Sequence, residues 1–161
     1  MRINARRFDI LGIGNSSEGL LLQIETIIEV TEAHTDTLGH LNHVAAARYL
    51  EQARYEWYET CGLFDDESGR FATVVVNISY DYRRECFLDE RLRVMSRGLS
   101  MGTKSMVVAH EIIKADGEVA IEGRATSVVM DLNARSIIAV PPCVAQYLAP
   151  RYEAAAGPNG G

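Results

Sequence analysis

The stretch Thr35-Asp36-Thr37-Leu38-Gly39-His40-Leu41-Asn42-His43, running directly into Val44 to Cys61, decides how this chain folds. Val44, Ala47, Leu50, Ala53, Trp57 and Cys61 recur at spacings of three and four, which stacks them into one apolar stripe on a helix. Glu51, Gln52, Arg54, Glu56 and Glu59 fill much of the remaining surface. Asn42 suits the N-cap, because its side-chain oxygen can accept from an N–H one turn in, and Gly62 can take the left-handed position after the last turn. A helix over residues 44–61 is therefore predicted, with both ends marked. In the loop before it, a carboxylate, a glycine turn and two histidines sit beside unpaired helix N–H groups. Asp36 has two readings there: it caps its own turn, or it places a base at the helix start, a pairing suited to acyl transfer.

Outward from the helix, the pattern becomes one of strands. Leu22, Ile24, Thr26, Ile28 and Val30 alternate with Gln23, Glu25, Glu29 and Thr31, as in a half-buried strand, with Ile27 the exception on the polar face. Residues 64–69 form an acidic loop. Phe71 to Tyr82 is rich in β-branched and aromatic residues, and Val74, Val75 and Val76 in a row predict a central strand buried on both faces. Leu88-Asp89-Glu90 marks a turn; Leu92, Val94 and Ser96 alternate with Arg91, Arg93, Met95 and Arg97; Gly98 to Gly102 holds the next reversal. Met106 to Lys114 returns as a strand. Asp116-Gly117 predicts a two-residue hairpin with positive φ at both positions, after which Val119 to Leu132 pairs back antiparallel. Asn133-Ala134-Arg135 turns again, and Pro141-Pro142 opens a short helix through Val144 and Leu148.

An amphipathic helix between one strand and an antiparallel run must bury its stripe against that sheet, which should curl around it. The class is α+β. Residues 1–18 form an N-terminal extension or loosely attached strand, 19–150 one domain, and 151–161 a frayed tail; the Gly12-x-Gly14 spacing is too weak for a phosphate loop. The trailing edge of the sheet needs cover, which the pairing of two sheets in a dimer would supply.

Composition sets outer limits. A chain of 161 residues with 47% hydrophobic and 24% charged content fits one globular domain. Its net charge of −6 disfavours general nucleic-acid binding, which calls for a basic excess. Cys61, Cys86 and Cys143 are odd in number and widely spaced, indicating neither a disulfide framework nor a zinc site. Arg2, Arg6 and Arg7 lead only into a short apolar segment that Asp9 interrupts, and no run reaches membrane-spanning length; a cytoplasmic protein, not bound to membrane, is expected.

The run Asp36 to His43, continued by Ala47-Arg48-Tyr49-Leu50-Glu51-Gln52-Ala53-Arg54-Tyr55-Glu56-Trp57, resembles the signature of hot-dog-fold thioesterases of the 4-hydroxybenzoyl-CoA and short-chain acyl-CoA branch. The resemblance covers residues 20 to 148, including Tyr82-Arg83-Arg84, Asp116-Gly117 and Val140-Pro141-Pro142. It implies a hot-dog fold with a five-stranded antiparallel sheet wrapped around one long helix. The unit would be a homodimer, which can assemble further as a dimer of dimers. The site would lie where one subunit's Asp loop meets its partner, with acyl-CoA as substrate and no cofactor or metal. By that likeness Asp36 is the catalytic carboxylate, either nucleophile or general base, and backbone N–H groups at the helix start, His43's among them, hold the oxyanion.

The same likeness assigns the neighbouring positions. His40 supports the substrate carbonyl or orients the loop, the alternative being a turn histidine bonded to backbone. His43 departs from the more usual Asn, although its N–H can serve whatever the side chain. Gly39 shapes the substrate-side turn, and Asn42 is a cap that can also touch substrate. A second branch of the fold carries its carboxylate on the helix, near Glu51; the alternative for Glu51 is an ion pair with Arg54 or Arg48. His34, His40, His43 and Asp36 match no familiar zinc spacing. Tyr49, Trp57 and Tyr58 could line an acyl pocket or belong to the core. Of the cations on later strands, Arg83, Arg97 and Lys104 are the candidates for coenzyme A phosphates. Thioester hydrolysis on an acyl-carrier protein, and a non-catalytic acyl-binding dimer, are the other readings. A hydratase lacks its motif, and a regulator would need room for a DNA-binding domain.

Overall fold

Leu22, Ile24, Thr26 and Ile28 are all buried on one face of the strand β2 (Leu21–Glu29), so the alternation in the sequence is realised residue by residue. The computed structural model describes residues 7–11, 21–65 and 69–150. After β2, a 3-10 turn (Glu32–His34) leads into the helix α1 (His43–Thr60). The strands β3 (Phe71–Tyr82), β4 (Arg91–Met101), β5 (Ser105–Ile113) and β6 (Val119–Asp131) follow. Antiparallel pairing in the order β2-β4-β5-β6-β3 makes a five-stranded sheet that wraps α1, the α+β hot-dog arrangement. Short pieces extend it: β1 (Arg7–Leu11) pairs with β2, β7 (Ser136–Ile138) with β6, and β8 (Ala149–Pro150) with β4. The rest of the expected extension, the tail from residue 151 and residues 66–68 of the acidic loop lie outside the described residues. No helix among the described residues is long and apolar enough to cross a membrane.

Both helix ends are built as their residues predict. The Asn42 carboxamide accepts the Val44 N–H at 2.8 Å, and Gly62, just past the end, has φ +78°. The buried stripe, however, is wider than the sequence suggested. Ala46, Tyr49, Leu50, Ala53 and Trp57 are buried, whereas Val44 in the first turn is 50% exposed. Arg54 and Glu56, expected on the solvent side, are buried too, because a sheet that curls around a helix covers more than one of its faces. Glu56 accepts the Thr26 hydroxyl at 2.6 Å, and Arg54 lies beside His110 and Tyr58.

Four local expectations need correction. Phe71–Tyr82 is the edge strand, not a central one: it pairs only with β6, and Val74, Val76 and Ile78 are exposed. β-branched side chains favour a strand but do not state how many neighbours it has. The reversal expected at Gly98–Gly102 begins only at Gly102, because β4 runs on past Gly98 with a bulge at Leu99. The Asp116-Gly117 turn is a three-residue loop, in which Gly117 alone has positive φ (+91°), the Gly117 N–H donates to Lys114 O, and the Asp116 carboxylate accepts the Glu118 N–H. The helix opened by Pro141-Pro142 is the single turn α2 (Pro142–Ala145) and ends before Leu148.

Candidate active site

Residues 35–41 form a tight hairpin folded back on the start of α1. Thr35 and Leu41 face each other across it, the Asp36 N–H donates to His40 O at 2.9 Å, and the Leu41 N–H reaches Cys86 O at 2.7 Å. At its tip Gly39 has φ +76°, which only glycine adopts without strain, and its N–H closes the turn on Asp36 O. The Asp36 carboxylate accepts the N–H groups of Leu38 (2.9 Å) and His40 (3.3 Å), both on Oδ1. Asp36 thus caps its turn, and the cap uses one oxygen. Oδ2 meets no donor among the described residues.

Asp36, His40 and His43 line a cleft of about 300 Å³ together with Tyr82, Arg83 and Arg84 and with the buried Cys86 and Ile121. The first turn of α1 opens here. Asn42 occupies the Val44 N–H, while the His43 N–H meets no acceptor among the described residues, leaving a donor at the positive end of an 18-residue helix. The Tyr82 hydroxyl donates to His43 O at 3.4 Å and so ties the edge strand to the helix start. His40 holds the loop through its backbone, while its ring lies edge-on to Phe87 and 3.4 Å from Glu85. Burial pushes the Cys86 thiol up to about 11, so it is protonated near neutrality and is no nucleophile there.

The remaining candidates are scattered. Glu51 is exposed and pairs with neither Arg48 nor Arg54. Tyr49 is buried, its hydroxyl turned toward His34 rather than the cleft. Arg83 lines the cleft but is ion-paired with Glu122. Arg97 lies on the outer face of the sheet, in a separate polar depression with Asn77, Ser79 and Arg124, and Lys104 donates to Ile137 O at 3.2 Å. His40 and His43 both line the cleft and the His34 ring is turned to Tyr49, and no three His, Cys, Asp or Glu side chains among the described residues converge as metal ligands. Reasoning from sequence missed Tyr82, Cys86 and Ile121 as cleft residues; only Tyr82, adjoining the two arginines, lay within a recognisable motif.

Comparison with known proteins agrees with this architecture. The sequence profile of the thioesterase-like superfamily matches residues 30–148. The long-chain acyl-CoA thioesterase FadM of Escherichia coli (strain K12) is 29% identical over 119 residues, covering 73% of this chain and 90% of that protein. The structure of YbaW from Escherichia coli, described as a probable thioesterase, is 28% identical with a TM-score of 0.70, covering 77% of this chain and 98% of that one. A DHNA-CoA thioesterase from Staphylococcus aureus, at 24% identity, shares the fold with a TM-score of 0.65 over 71% of this chain and 78% of its own.

Proposed function

We infer that this chain, which belongs to the thioesterase-like superfamily, hydrolyses acyl-CoA to the free acid and coenzyme A. One observation carries the reading: Asp36 is held by its own loop through Oδ1 alone, and it lines the same cleft as His43, whose N–H meets no acceptor among the described residues. With the thioester carbonyl in that cleft, the His43 N–H stabilises the oxyanion as it develops, and one such donor is worth on the order of a hundredfold in rate. Asp36 Oδ2 then either attacks the carbonyl carbon, giving a mixed anhydride that water cleaves, or removes a proton from the attacking water. In both routes the thiolate leaves and is protonated to the free thiol. The FadM relative motivates coenzyme A as the carrier, and Arg83 and Arg84 on the cleft wall, ion-paired with Glu122 and Glu118, are the cations that its phosphates would compete for. Arg97 and Lys104 lie elsewhere and are not part of this assignment.

The working unit in this proposal is a homodimer. The exposed edge strand β3 carries Val74, Val76 and Ile78 at the surface and ends at Tyr82 on the cleft, so a partner strand laid along it would cover the apolar row and close one side of the site. A cytoplasmic location belongs to the same reading, since Cys61, Cys86 and Cys143 are all free, as a reducing compartment requires.

Thiol release measured on palmitoyl-, octanoyl- and benzoyl-CoA, and on the matching acyl-carrier-protein thioesters, identifies the carrier and the acyl class. Asp36→Asn is expected to lower kcat by on the order of a hundredfold or more, with Glu51→Gln close to wild type. Full activity in the Asp36 variant would remove the assignment, and inactivity of Glu51→Gln alone would move the carboxylate onto the helix.

A further inference from the structure

The Asp36 hairpin has to sit at one angle to the helix, and the residue at its mouth is bound to the helix twice. His34, the last residue of the 3-10 turn, accepts the Asn42 N–H on its carbonyl at 2.8 Å, and Asn42 in turn caps α1 through Val44. That backbone bond joins the two sides of the hairpin's mouth where it meets the helix. Its ring makes the second attachment. Nδ1 lies 2.6 Å from the hydroxyl of Tyr49, nearly two turns along α1, and 2.8 Å from the Thr31 hydroxyl at the other end of the 3-10 turn. The two rings meet edge-on, centroids 5.2 Å apart at 71°, and the Tyr49 hydroxyl also reaches Glu29 O at 3.3 Å.

The Leu41 N–H bond to Cys86 O and the His40 ring on Phe87 hold the second strand of the hairpin, whereas the first strand, which carries Asp36, would be tied toward the helix by the single bond at the mouth and left free to swing about it. The second attachment, made to a buried residue farther along the same helix, removes that freedom, because Tyr49 is 4% exposed and packed in the core of the sheet. Only Thr35 separates His34 from Asp36, so a change of angle at His34 moves the carboxylate directly. His34 and Tyr49 do not line the cleft themselves. Their effect on the reaction is therefore one of aim and not of contact.

We propose that His34 and Tyr49 are positioning residues for the hydrolysis: their hydrogen bond clamps the Asp36 hairpin at the angle where Oδ2 and the His43 N–H face one carbonyl. The inference rests on the reading of Asp36 given above. Near-attack geometry is steep, and a misplacement of about 1 Å can cost up to a hundredfold in rate. Since the clamp touches no part of the substrate, its loss appears in kcat and leaves KM in place.

The test uses steady-state thiol release from whichever acyl-CoA the full-length protein turns over fastest. Tyr49→Phe keeps the buried ring and removes only the hydroxyl; kcat is expected to fall on the order of tenfold with KM unchanged. His34→Ala should fall at least as far, and His34→Asn, whose amide can offer a polar atom near the place of Nδ1, should recover most of the loss. The double variant Tyr49→Phe/His34→Ala should be no slower than His34→Ala, because both changes remove the same contact. Wild-type kcat in Tyr49→Phe overturns the clamp, as does a His34→Asn variant no faster than His34→Ala. Asp36→Asn, run alongside, separates the two claims: activity there removes the catalytic reading itself, whereas an inactive Asp36→Asn beside a fully active Tyr49→Phe removes only the clamp.

Discussion

Gly98 on β4 lies directly against the indole of Trp57: a Cβ on Gly98 would come within 2.7 Å of the ring, and within 2.5 Å of Tyr147 O and 2.9 Å of the Leu148 side chain. The closeness is set from the other side, because the Trp57 Nε1–H donates to Leu22 O at 3.0 Å and the ring is fully buried. One of the three neighbours is backbone, so the strand cannot yield cheaply. Gly98→Ala is expected to destabilise the fold by roughly 1–3 kcal/mol, read as a lower urea midpoint at unchanged m value.

His110 gives the stability a pH dependence of known sign. Its ring is buried and hydrogen-bonded through Nδ1 to Ser96 at 2.8 Å; burial, and then the charge of Arg54, push its pKa down to about 3. The unfolded chain protonates this ring near the ordinary value of about 6.5, so the contribution to stability is complete above that pH and is lost progressively as pH falls toward 3. The slope from this one group is at most about 1.4 kcal/mol per pH unit. Thermal unfolding compared at pH 7 and pH 4.5 should show a smaller drop in Tm for His110→Gln than for the natural chain, and an equal drop in both would remove His110 as the cause.

At the exposed edge, Val76 is 57% and Ile78 48% accessible on a strand with one neighbour. If a second copy covers this row, two lysines there place like charges opposite one another. Val76→Lys/Ile78→Lys is expected to sediment as a folded monomer with far-UV circular dichroism unchanged, and to lose most thiol-releasing activity. A variant that stays dimeric would locate the interface elsewhere.

Gly39 tests the hairpin tip separately from the carboxylate it serves. A Cβ there meets nothing within 4 Å, so Gly39→Ala adds no clash, only the cost of holding φ at +76°. That cost is about 1 kcal/mol for a residue with a side chain. Global stability should change little, since the loop is exposed, while kcat falls severalfold as the turn relaxes and Asp36 moves with it. Asn, which tolerates this backbone region better, should restore part of the rate.

The helix and its caps were legible in the residues because the signals are local: the spacing of Leu50, Ala53 and Trp57, and the side chain of Asn42, act within a turn or two. The same holds for the alternation from Leu22 to Val30 and for the position of Asp36 beside the helix start. The Val74-Val75-Val76 run shows the limit. Its composition specifies a strand, but burial on one face or two depends on sheet order, which places it last beside β6. Asp116 likewise needed the register of its flanking strands before the loop could be counted as three residues.

By itself, then, the sequence determined the long helix and the five main strands, the α+β class and the stretch carrying the candidate chemistry, because each follows from interactions between residues close along the chain. Only the tertiary structure decided that Arg54 and Glu56 are buried, that Arg97 and Lys104 lie away from the cleft, that Tyr82 forms its wall, and that Tyr49 turns to His34. Those outcomes depend on how far a sheet bends around a helix. That curvature is set by contacts between residues dozens of positions apart, which no local spacing records.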